Sequence, residues 1–474
     1  MTGSDVGVHP DTPTRTKIDL NGVWSYSLDE TNWESVKVPS AFDYEGQIIF
    51  LRKFSIDDEL MTRRALTLVA LGINYEAEIS VNDVFIGRHV GGYTSFEFEI
   101  PDAALRLGAE NVLKIVVRNE LNARTTLPLR KQIWGWRNYA GIFRDIYLLS
   151  TPRQWVEAVN VQTEVSGDFR QGTVRVAATI TSGRSEQSVG VDALSGQPAH
   201  GEVQELYFQI GLIDKQNNAV VVQSSPVPVT VAQNRKVETL VSVTLLSPKL
   251  WSPESPDLYR LRASLFEAEG NQRRSIDEIE RNIGFRVVSL QNRSVLVNGK
   301  KTPLRGVIWH EDSPAYGSAL SYEQMEKDVA LIKTLGANAI RFEFHPPHPY
   351  MMNLCSRYGL FVLEEIPVWN VPAAILAQEH FQVMAEGALR EMVQRDRHQT
   401  SLLAWGVGSE FDSSDPRARS YVERMTRSLH ALDSRPVYFG SRMVGNDLCS
   451  DLVDFAALAM PSVSEEEFKE ILSR

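Results

Sequence analysis

Short runs in which apolar and polar residues alternate fill the chain up to about residue 287. Between residues 14 and 153, runs such as ALTLVALG and NVLKIVVRN are separated by turn residues such as Asn82-Asp83 and Gly91-Gly92. A strand with this period has one apolar face to bury, so two sheets must pack against each other. The pattern predicts a jelly-roll-like β-sandwich over residues 14–153, after a flexible polar tail at 1–13.

Residues 154–287 alternate again, in runs such as TVRVAATITSG, VETLVSVTLL and YRLRASLFEAEG. Each run has the length of one sandwich strand. A segment of this size with strands at this spacing predicts a second sandwich, of the immunoglobulin-like type. The small, polar stretch GVDALSGQPAHGE, residues 190–202, predicts a surface loop within it.

After residue 287 the pattern changes to strands that alternate with helices. TPLRGVIWHE is expected to be a buried strand, and Ser321 with Gln324 forms a capping-box pattern that opens a helix. Asp415-Pro416 opens another helix, and SEEEFKEILSR is expected to form the last one. Strand and helix alternate six times, whereas a closed barrel needs eight units. Residues 288–474 therefore predict the first six units of an incomplete (β/α)8 TIM barrel.

Charge and composition narrow the possible partners. The 49 basic and 60 acidic residues give a net charge of −11, which argues against nucleic acid and suits a neutral substrate. No apolar run approaches the roughly 20 residues that span a bilayer. The polar start is not a signal peptide, so the compartment stays open: cytoplasmic, or periplasmic or secreted if a signal has been removed. The two cysteines are too few for a disulfide framework or a metal cluster, and Cys355 is expected to be a buried thiol. No metal or other cofactor is expected.

Polar residues follow the first four barrel strands, where the chemistry of a parallel barrel lies. They are His310, Glu311 and Asp312, then Arg341, Glu343 and His345, then Glu364 and Glu365, and finally Ser409 and Glu410. The alternative interpretation is the hydrated rim of charges that any barrel has.

Two carboxyl groups are the usual requirement for glycoside hydrolysis, one of them a general acid. Glu410 follows the apolar strand SLLAWGVG, and partial desolvation favours the protonated form that an acid needs. Glu365, from the neighbouring strand, is a candidate for the second group. The preferred alternative makes Glu365 a partner of Arg341 that fixes the geometry of the rim.

Four tryptophans lie in loops near the expected rims: Trp134, Trp136, Trp309 and Trp369. Sugars stack their apolar faces on aromatic rings, so these side chains suit a glycan site. Packing between domains is an equally good explanation for Trp134 and Trp136.

Several motifs together resemble those of glycoside hydrolase family 2, the β-galactosidase and β-glucuronidase family. They are LNGVW, VNDVFIGRHVGGYTSFEFEI, NYAGIFRDIYL, LWSPESPDLYRL, IGFR and VNGKKTPLRGVIWHED, and the similarity runs from about residue 17 to 474. The resemblance implies a retaining exo-β-glycosidase that releases a terminal β-linked sugar, with Glu410 as its acid/base. It also implies that the first domain's loop at 130–138 reaches the pocket. His310, Asp312 and Arg341 match pocket or nucleophile-orienting positions, and the further candidates for substrate binding are His345, Glu365 and Ser409.

The sequence also departs from the family pattern. Ser409 stands where the family has the asparagine that holds the sugar 2-hydroxyl, and Phe344 stands where it has a histidine, with His345 one place later. The metal-ligand pattern of some β-galactosidases is not visible in IPVWNVP. The family's nucleophile ends strand seven, which this sequence does not contain.

We therefore expect that the chain alone is not a competent hydrolase. Either it is part of a longer enzyme, or it is a degenerate, inactive carbohydrate-binding or scaffold protein. The expected partner is a carbohydrate, and a homo-oligomer is possible.

Overall fold

A computed structural model describes residues 8–56, 64–127, 129, 137–182, 204–232, 235–269, 272–291, 294–442 and 445–458. Some predictions lie outside these ranges: Trp134, Trp136, most of the loop at 130–138, the predicted surface loop at 190–202, the last helix and half of the N-terminal tail.

The first domain is a sandwich of two antiparallel sheets. In chain order its strands are β1 (Thr16–Asp19), β2 (Gly22–Ser27), β3 (Glu34–Val38), β4 (Gln47–Ser55), β5 (Arg64–Ala70), β6 (Ile73–Asn74), β7 (Glu76–Val81), β8 (Val84–Val90), β9 (Phe96–Ile100), β10 (Glu110–Arg118), β11 (Gly141–Ile142) and β12 (Ile146–Pro152). One sheet has the order β1-β12-β5-β9, the other β3-β2-β4-β10-β7-β8, and β6 pairs with β11. Successive residues of β10 alternate between buried and more exposed, as predicted for a strand with one buried face. Trp24, Phe50 and Leu148 fill the core between the sheets.

The second domain is a smaller sandwich. Its strands are β13 (Gln154–Val165), β14 (Gln171–Ser182), β15 (Gln204–Asp214), β16 (Val220–Gln223), β17 (Val227–Val231), β18 (Lys236–Leu246), β19 (Tyr259–Glu269) and β20 (Gln272–Ile283). One sheet is β13-β14-β18, and the other is β16-β15-β19-β20 with β17 also paired to β15. Val176, Phe208 and Leu261 lie buried between them.

A three-stranded hairpin sheet leads into the third domain: β21 (Val288–Gln291), β22 (Ser294–Val297) and β23 (Lys300–Lys301). Six parallel strands follow, β24 (Gly306–Trp309), β25 (Ala339–Phe342), β26 (Phe361–Glu365), β27 (Leu402–Ser409), β28 (Val437–Ser441) and β29 (Phe455–Leu458). The α-helices are α1 (Tyr322–Thr334), α2 (Pro349–Tyr358), α3 (Ala373–Leu376), α4 (Glu379–Asp396) and α5 (Pro416–Leu432). The strands pair in sequence order and curl into a half-barrel, which confirms the predicted incomplete barrel.

The prediction that the first barrel strand is buried was wrong. Ile308 of β24 is 53% exposed, whereas all eight residues of β27 are buried. The cause is position in the sheet, because β24 pairs only with β25 within the described strands, whereas β27 has a neighbour on each side.

The helix starts follow the predicted caps. The Ser321 hydroxyl accepts a hydrogen bond from the Gln324 backbone N–H at 3.2 Å. The Gln324 side chain donates to Asp328 Oδ1 at 2.7 Å, so the other half of the predicted capping box is not made. The Asp415 carboxylate accepts from the Arg417 N–H at 2.8 Å, with Pro416 in the first turn. Cys355 lies fully buried in α2, as predicted.

A buried ion pair joins the first sandwich to the half-barrel. Arg144 Nε donates to Glu311 Oε1 at 2.9 Å, and its other nitrogens donate to the carbonyl oxygens of Tyr93 and Pro346 at 2.7 and 2.8 Å. Both charged side chains are almost completely buried. Glu311, one of the polar residues expected at the rim, is therefore used to dock the two domains.

Candidate active site

Glu410 lies at the mouth of the half-barrel, immediately after β27. Its backbone has φ 58° and Gly408 has φ 123°, a left-handed region that side chains other than glycine rarely adopt. This turn aims the Glu410 carboxylate into the mouth, where it accepts a hydrogen bond from Trp369 Nε1 at 2.7 Å. The Arg442 guanidinium pairs with the same carboxylate oxygen. The Glu410 side chain is 12% exposed, so it emerges from a buried strand as the sequence predicts.

Arg341 connects the polar residues of the rim. Its Nη2 donates to Glu365 Oε2 at 3.0 Å and to Ser409 Oγ at 2.6 Å, and its Nη1 contacts Glu343 Oε1 at 3.0 Å. The Ser409 hydroxyl donates to Glu365 Oε1 at 2.7 Å, and the Phe344 backbone N–H donates to the same oxygen at 2.9 Å. Three donors therefore hold Glu365. One of them is Arg341, the partner that the alternative interpretation of Glu365 expected.

Glu365 and Ser409 belong to the site but lie beneath its surface. Both are fully buried, and their expected contact with a substrate stays a prediction. Gly440 on β28 makes room for them, because a Cβ at this position would collide with Ser409 Oγ and with the Arg341 guanidinium. The serine hydroxyl is thus committed to the rim network, and the sugar-binding role expected from its position stays a prediction.

One wall of the mouth is aromatic. The rings of Phe344 and Trp369 lie 4.4 Å apart at an angle of 32°, and the ring of His310 lies 5.6 Å from that of Phe344. Trp309 lies elsewhere: its Nε1 donates to Asp328 Oδ2 at 3.0 Å, and its ring meets Phe342 edge-on. Of the two described tryptophans expected near the rims, Trp369 lies at the site and Trp309 packs against the helices.

The carboxyl group of Glu343 has a raised pKa. Burial, together with the charges of Glu365 and Glu410, raises the pKa of Glu343 to about 7, and the charges of Arg341 and Arg442 oppose the change. His310 Nε2 lies 4.0 Å from Glu343 Oε2. Burial lowers the pKa of His310, so this imidazole is mostly neutral near pH 7. The sequence placed Glu343 on the rim but gave no sign of this shift, which depends on residues from three other strands.

The first sandwich contributes to the other side of the mouth. Tyr139 donates its hydroxyl proton to Asp312 Oδ1 at 3.0 Å. His345 is buried against Tyr93, with the rings 4.7 Å apart and nearly parallel, and this burial lowers the pKa of His345 to about 4. Tyr93, Tyr139, Asp312 and His345, together with His310, line a small cavity between the two domains. Tyr139 was missed in the sequence, although it lies within NYAGIFRDIYL, the motif that carries part of the resemblance.

Within the described ranges, no group of three or more His, Cys, Asp and Glu side chains is arranged to hold a metal ion. Among the described helices, none has the length and apolar character needed to cross a membrane.

Three family models match consecutive parts of the chain. "Glycosyl hydrolases family 2, sugar binding domain" matches residues 33–152, "Glycosyl hydrolases family 2" matches 155–286, and "Glycosyl hydrolases family 2, TIM barrel domain" matches 288–471.

Curated relatives are similar over most of this chain. A beta-galactosidase of Psychromonas ingrahamii is 26% identical over 82% of this chain and 40% of its own length. A beta-glucuronidase of Streptococcus agalactiae is 25% identical over 94% of this chain and 76% of its own length. The chain spans between 40% and 52% of the length of the first curated relatives that it matches.

Solved structures share the fold. The beta-glucuronidase of Bacteroides uniformis superimposes with a TM-score of 0.83 at 20% identity, over 97% of this chain and 57% of its own. The beta-D-glucuronidase of Dictyoglomus thermophilum superimposes with a TM-score of 0.76 at 24% identity, over 94% of this chain and 76% of its own.

Proposed function

Because the chain belongs to glycosyl hydrolase family 2, we propose that it is the N-terminal portion of a retaining exo-β-glycosidase. The substrate is a terminal β-linked sugar of the galactoside or glucuronide type. The proposed domains are a sugar-binding sandwich at 14–153, an immunoglobulin-like sandwich at 154–287 and a catalytic barrel domain at 288–474. The observation that carries the proposal is the position of Glu410, at the end of a fully buried strand and beside the aromatic wall of Phe344 and Trp369.

In this proposal Glu410 is the general acid/base. It gives its proton to the glycosidic oxygen as a second carboxylate forms a bond to the anomeric carbon. It then takes a proton from the water that hydrolyses the glycosyl-enzyme intermediate. Trp369 Nε1 and Arg442 both bond to one carboxylate oxygen of Glu410 and hold the side chain in place. Arg442 is half exposed, and we expect the leaving portion of a bound substrate to displace it before the first step.

Glu365 is a poor candidate for the attacking carboxylate. Its two oxygens are already bonded to Arg341, Ser409 and the Phe344 N–H, and the side chain is fully buried. The nucleophile of this proposal is a residue at the family's strand-seven position, beyond the six strands described.

The second candidate function is a carbohydrate-binding or scaffold protein without catalysis. It is favoured by the Ser409 hydroxyl, whose proton goes to Glu365. The hydrogen bond that the family makes to the sugar 2-hydroxyl normally strengthens in the transition state. A site that lacks this hydrogen bond can still hold a sugar on its aromatic wall.

Sodium azide tests the acid function in the chain as it stands. Azide forms a bond to the anomeric carbon while the bond to the aglycone oxygen breaks, and Glu410 protonates that oxygen as it leaves. We expect aryl β-galactosides or β-glucuronides to release their phenol only when azide is present. The other product should be an α-glycosyl azide. Glu410→Gln should slow phenyl glycosides about a hundredfold and dinitrophenyl glycosides little, because only the poorer leaving group needs a proton.

The control is Glu323→Gln, an exposed glutamate of α1 that should not affect the reaction. Equal slowing of both leaving groups by Glu410→Gln would refute the acid role. Efficient hydrolysis without azide that Glu365→Gln abolishes would make Glu365 the nucleophile. Binding of phenyl β-thioglycosides without any azide product would favour the second function.

A further inference from the structure

A groove of about 500 Å³ lies between the second sandwich and the half-barrel, at the opposite end of the strands from Glu410. Its walls come from β13, the segment after β20, and the loops after α4 and α5. We call it the basic groove, because the arginines Arg286, Arg397 and Arg435 line it, beside His398. The proposed hydrolysis makes no use of these residues.

The carboxylates of the groove are already paired. Asp433 Oδ2 bonds to Arg435 Nη1 at 2.7 Å, and Glu164 pairs with Arg175 on the surface of the second sandwich. Arg435 also donates from Nη2 to the Arg397 carbonyl oxygen at 2.9 Å. Among the described residues, no carboxylate lies within hydrogen-bonding distance of the guanidinium group of Arg397.

Arg286 is fixed beneath the groove with part of its charge uncompensated. Its guanidinium lies 5.5 Å from the ring centre of Trp251 and 5.3 Å from that of Phe361, and Nη2 donates to the Leu402 carbonyl oxygen. Its Nη1 is buried and has no hydrogen-bond partner among the described residues. A buried donor that carries charge is costly to leave unpaired.

The positive charge of Arg435 acts on three neighbouring side chains of the groove. Burial lowers the pKa values of Arg286, Arg397 and His398, and the positive charge of Arg435 lowers all three further. The pKa of His398 falls to about 3, so this side chain stays neutral. A concentration of positive charge like this is unexpected in a chain whose net charge is −11.

We propose that the basic groove binds an oxyanion, the phosphate, sulfate or carboxylate group of a small molecule, mainly through Arg397 and Arg435. Arginine presents several N–H donors in a fixed plane, which match two oxygens of such a group. The bound charge also compensates Arg286 from above, without contact with its buried Nη1. The volume of the groove is large enough for a group attached to a sugar-sized molecule.

Inorganic phosphate is the probe, titrated calorimetrically into the full chain at constant ionic strength. We expect one saturable site. Arg397→Gln should weaken phosphate binding about tenfold or more, because it removes charge-assisted hydrogen bonds. Arg397→Lys should bind phosphate with an affinity between those of wild type and Arg397→Gln, since lysine keeps the charge but not the paired donors. Arg427→Gln, which removes an exposed arginine from α5, is the matched control and should bind like wild type.

Competition distinguishes the sources of the oxyanion. Displacement of phosphate by sulfate alone indicates a tetrahedral group, and displacement by glucuronate as well indicates that a sugar carboxylate is accepted. Displacement by neutral galactose would overturn the proposal. So would the absence of saturable binding, or equal affinities for Arg397→Gln and Arg427→Gln. Without phosphate, Arg397→Gln should unfold at about the same temperature as wild type. The reason is that the Arg397 guanidinium holds no other described element in place.

Discussion

Replacing Glu343 with glutamine removes one ionisation from the candidate site and leaves the shape of the side chain almost unchanged. Glutamine can still accept a hydrogen bond from Arg341 Nη1, which contacts Glu343 Oε1 at 3.0 Å. What the variant lacks is the negative charge that wild-type Glu343 acquires near pH 7, next to Glu365 and Glu410.

The direction of the effect follows from the raised pKa. The folded protein holds the Glu343 proton up to about pH 7, whereas a glutamate in the unfolded chain loses it near 4.5. The contribution to stability is therefore complete below pH 4.5 and is lost as the pH rises to about 7. Wild type should lose stability relative to Glu343→Gln over this range, and the difference should level off above it.

The size of the effect has an upper limit. Each pH unit corresponds to about 1.4 kcal/mol, so the interval from 4.5 to about 7 corresponds to about 3.4 kcal/mol. Water reaches part of the Glu343 side chain and screens the charges around it. We expect about 1.5–2 kcal/mol between pH 5 and pH 8.

The assay is urea unfolding of wild type and Glu343→Gln at pH 5, 6, 7 and 8, followed by the fluorescence of the barrel tryptophans. Groups that titrate in both proteins cancel in the difference. Glu323→Gln is the control, because the pKa of Glu323 is lowered by Lys327 and this residue is ionised throughout the range. A difference that is constant from pH 5 to pH 8, or that grows in favour of wild type, would refute the reasoning.

Three other substitutions test contacts around the site. Arg144→Met should destabilise the protein by about 3–5 kcal/mol in urea unfolding, because it leaves the buried Glu311 carboxylate without its partner; a double variant with Glu311→Gln should recover part of the loss, and no recovery would contradict this account. Glu364→Gln should stabilise the protein more at pH 8 than at pH 5, because burial raises the pKa of Glu364 and the wild-type protein loses stability above pH 4.5; equal gains at both pH values would contradict it. Ser409→Ala should lower stability by about 1–3 kcal/mol, since the buried Glu365 loses a donor, and an unchanged melting temperature would show that the bond contributes nothing.

The sequence could predict features that depend on one element at a time. Alternation along β10 identifies a strand with one buried face, and Ser321 and Asp415 mark helix starts through their own side chains. The meeting of Arg341 with Glu365 and Ser409 follows from a general rule, since parallel strands end at one edge of their sheet. These predictions need no knowledge of distant residues.

Features that depend on pairs of distant residues could not be predicted. Arg144 and Glu311 are 167 positions apart in the chain, and neither motif shows that they form a pair. Trp309 and Trp369 both follow apolar runs, but only the packed structure shows that Trp309 faces a helix. The exposure of Ile308 depends on how many strands pair beside it, which its own sequence does not record.

The departures from the family pattern form one connected network. Ser409 donates to Glu365 Oε1, the Phe344 N–H donates to the same oxygen, and Arg341 donates to Glu365 Oε2. A site that had merely decayed would be expected to leave a substituted polar side chain without a partner. Here the Ser409 hydroxyl is bonded within the rim, and the Phe344 ring packs against Trp369, which in turn donates a hydrogen bond to Glu410. These contacts favour a rim rebuilt around serine, so returning Ser409 to the family's asparagine would disturb Glu365 and Arg341 before it could reach a sugar hydroxyl.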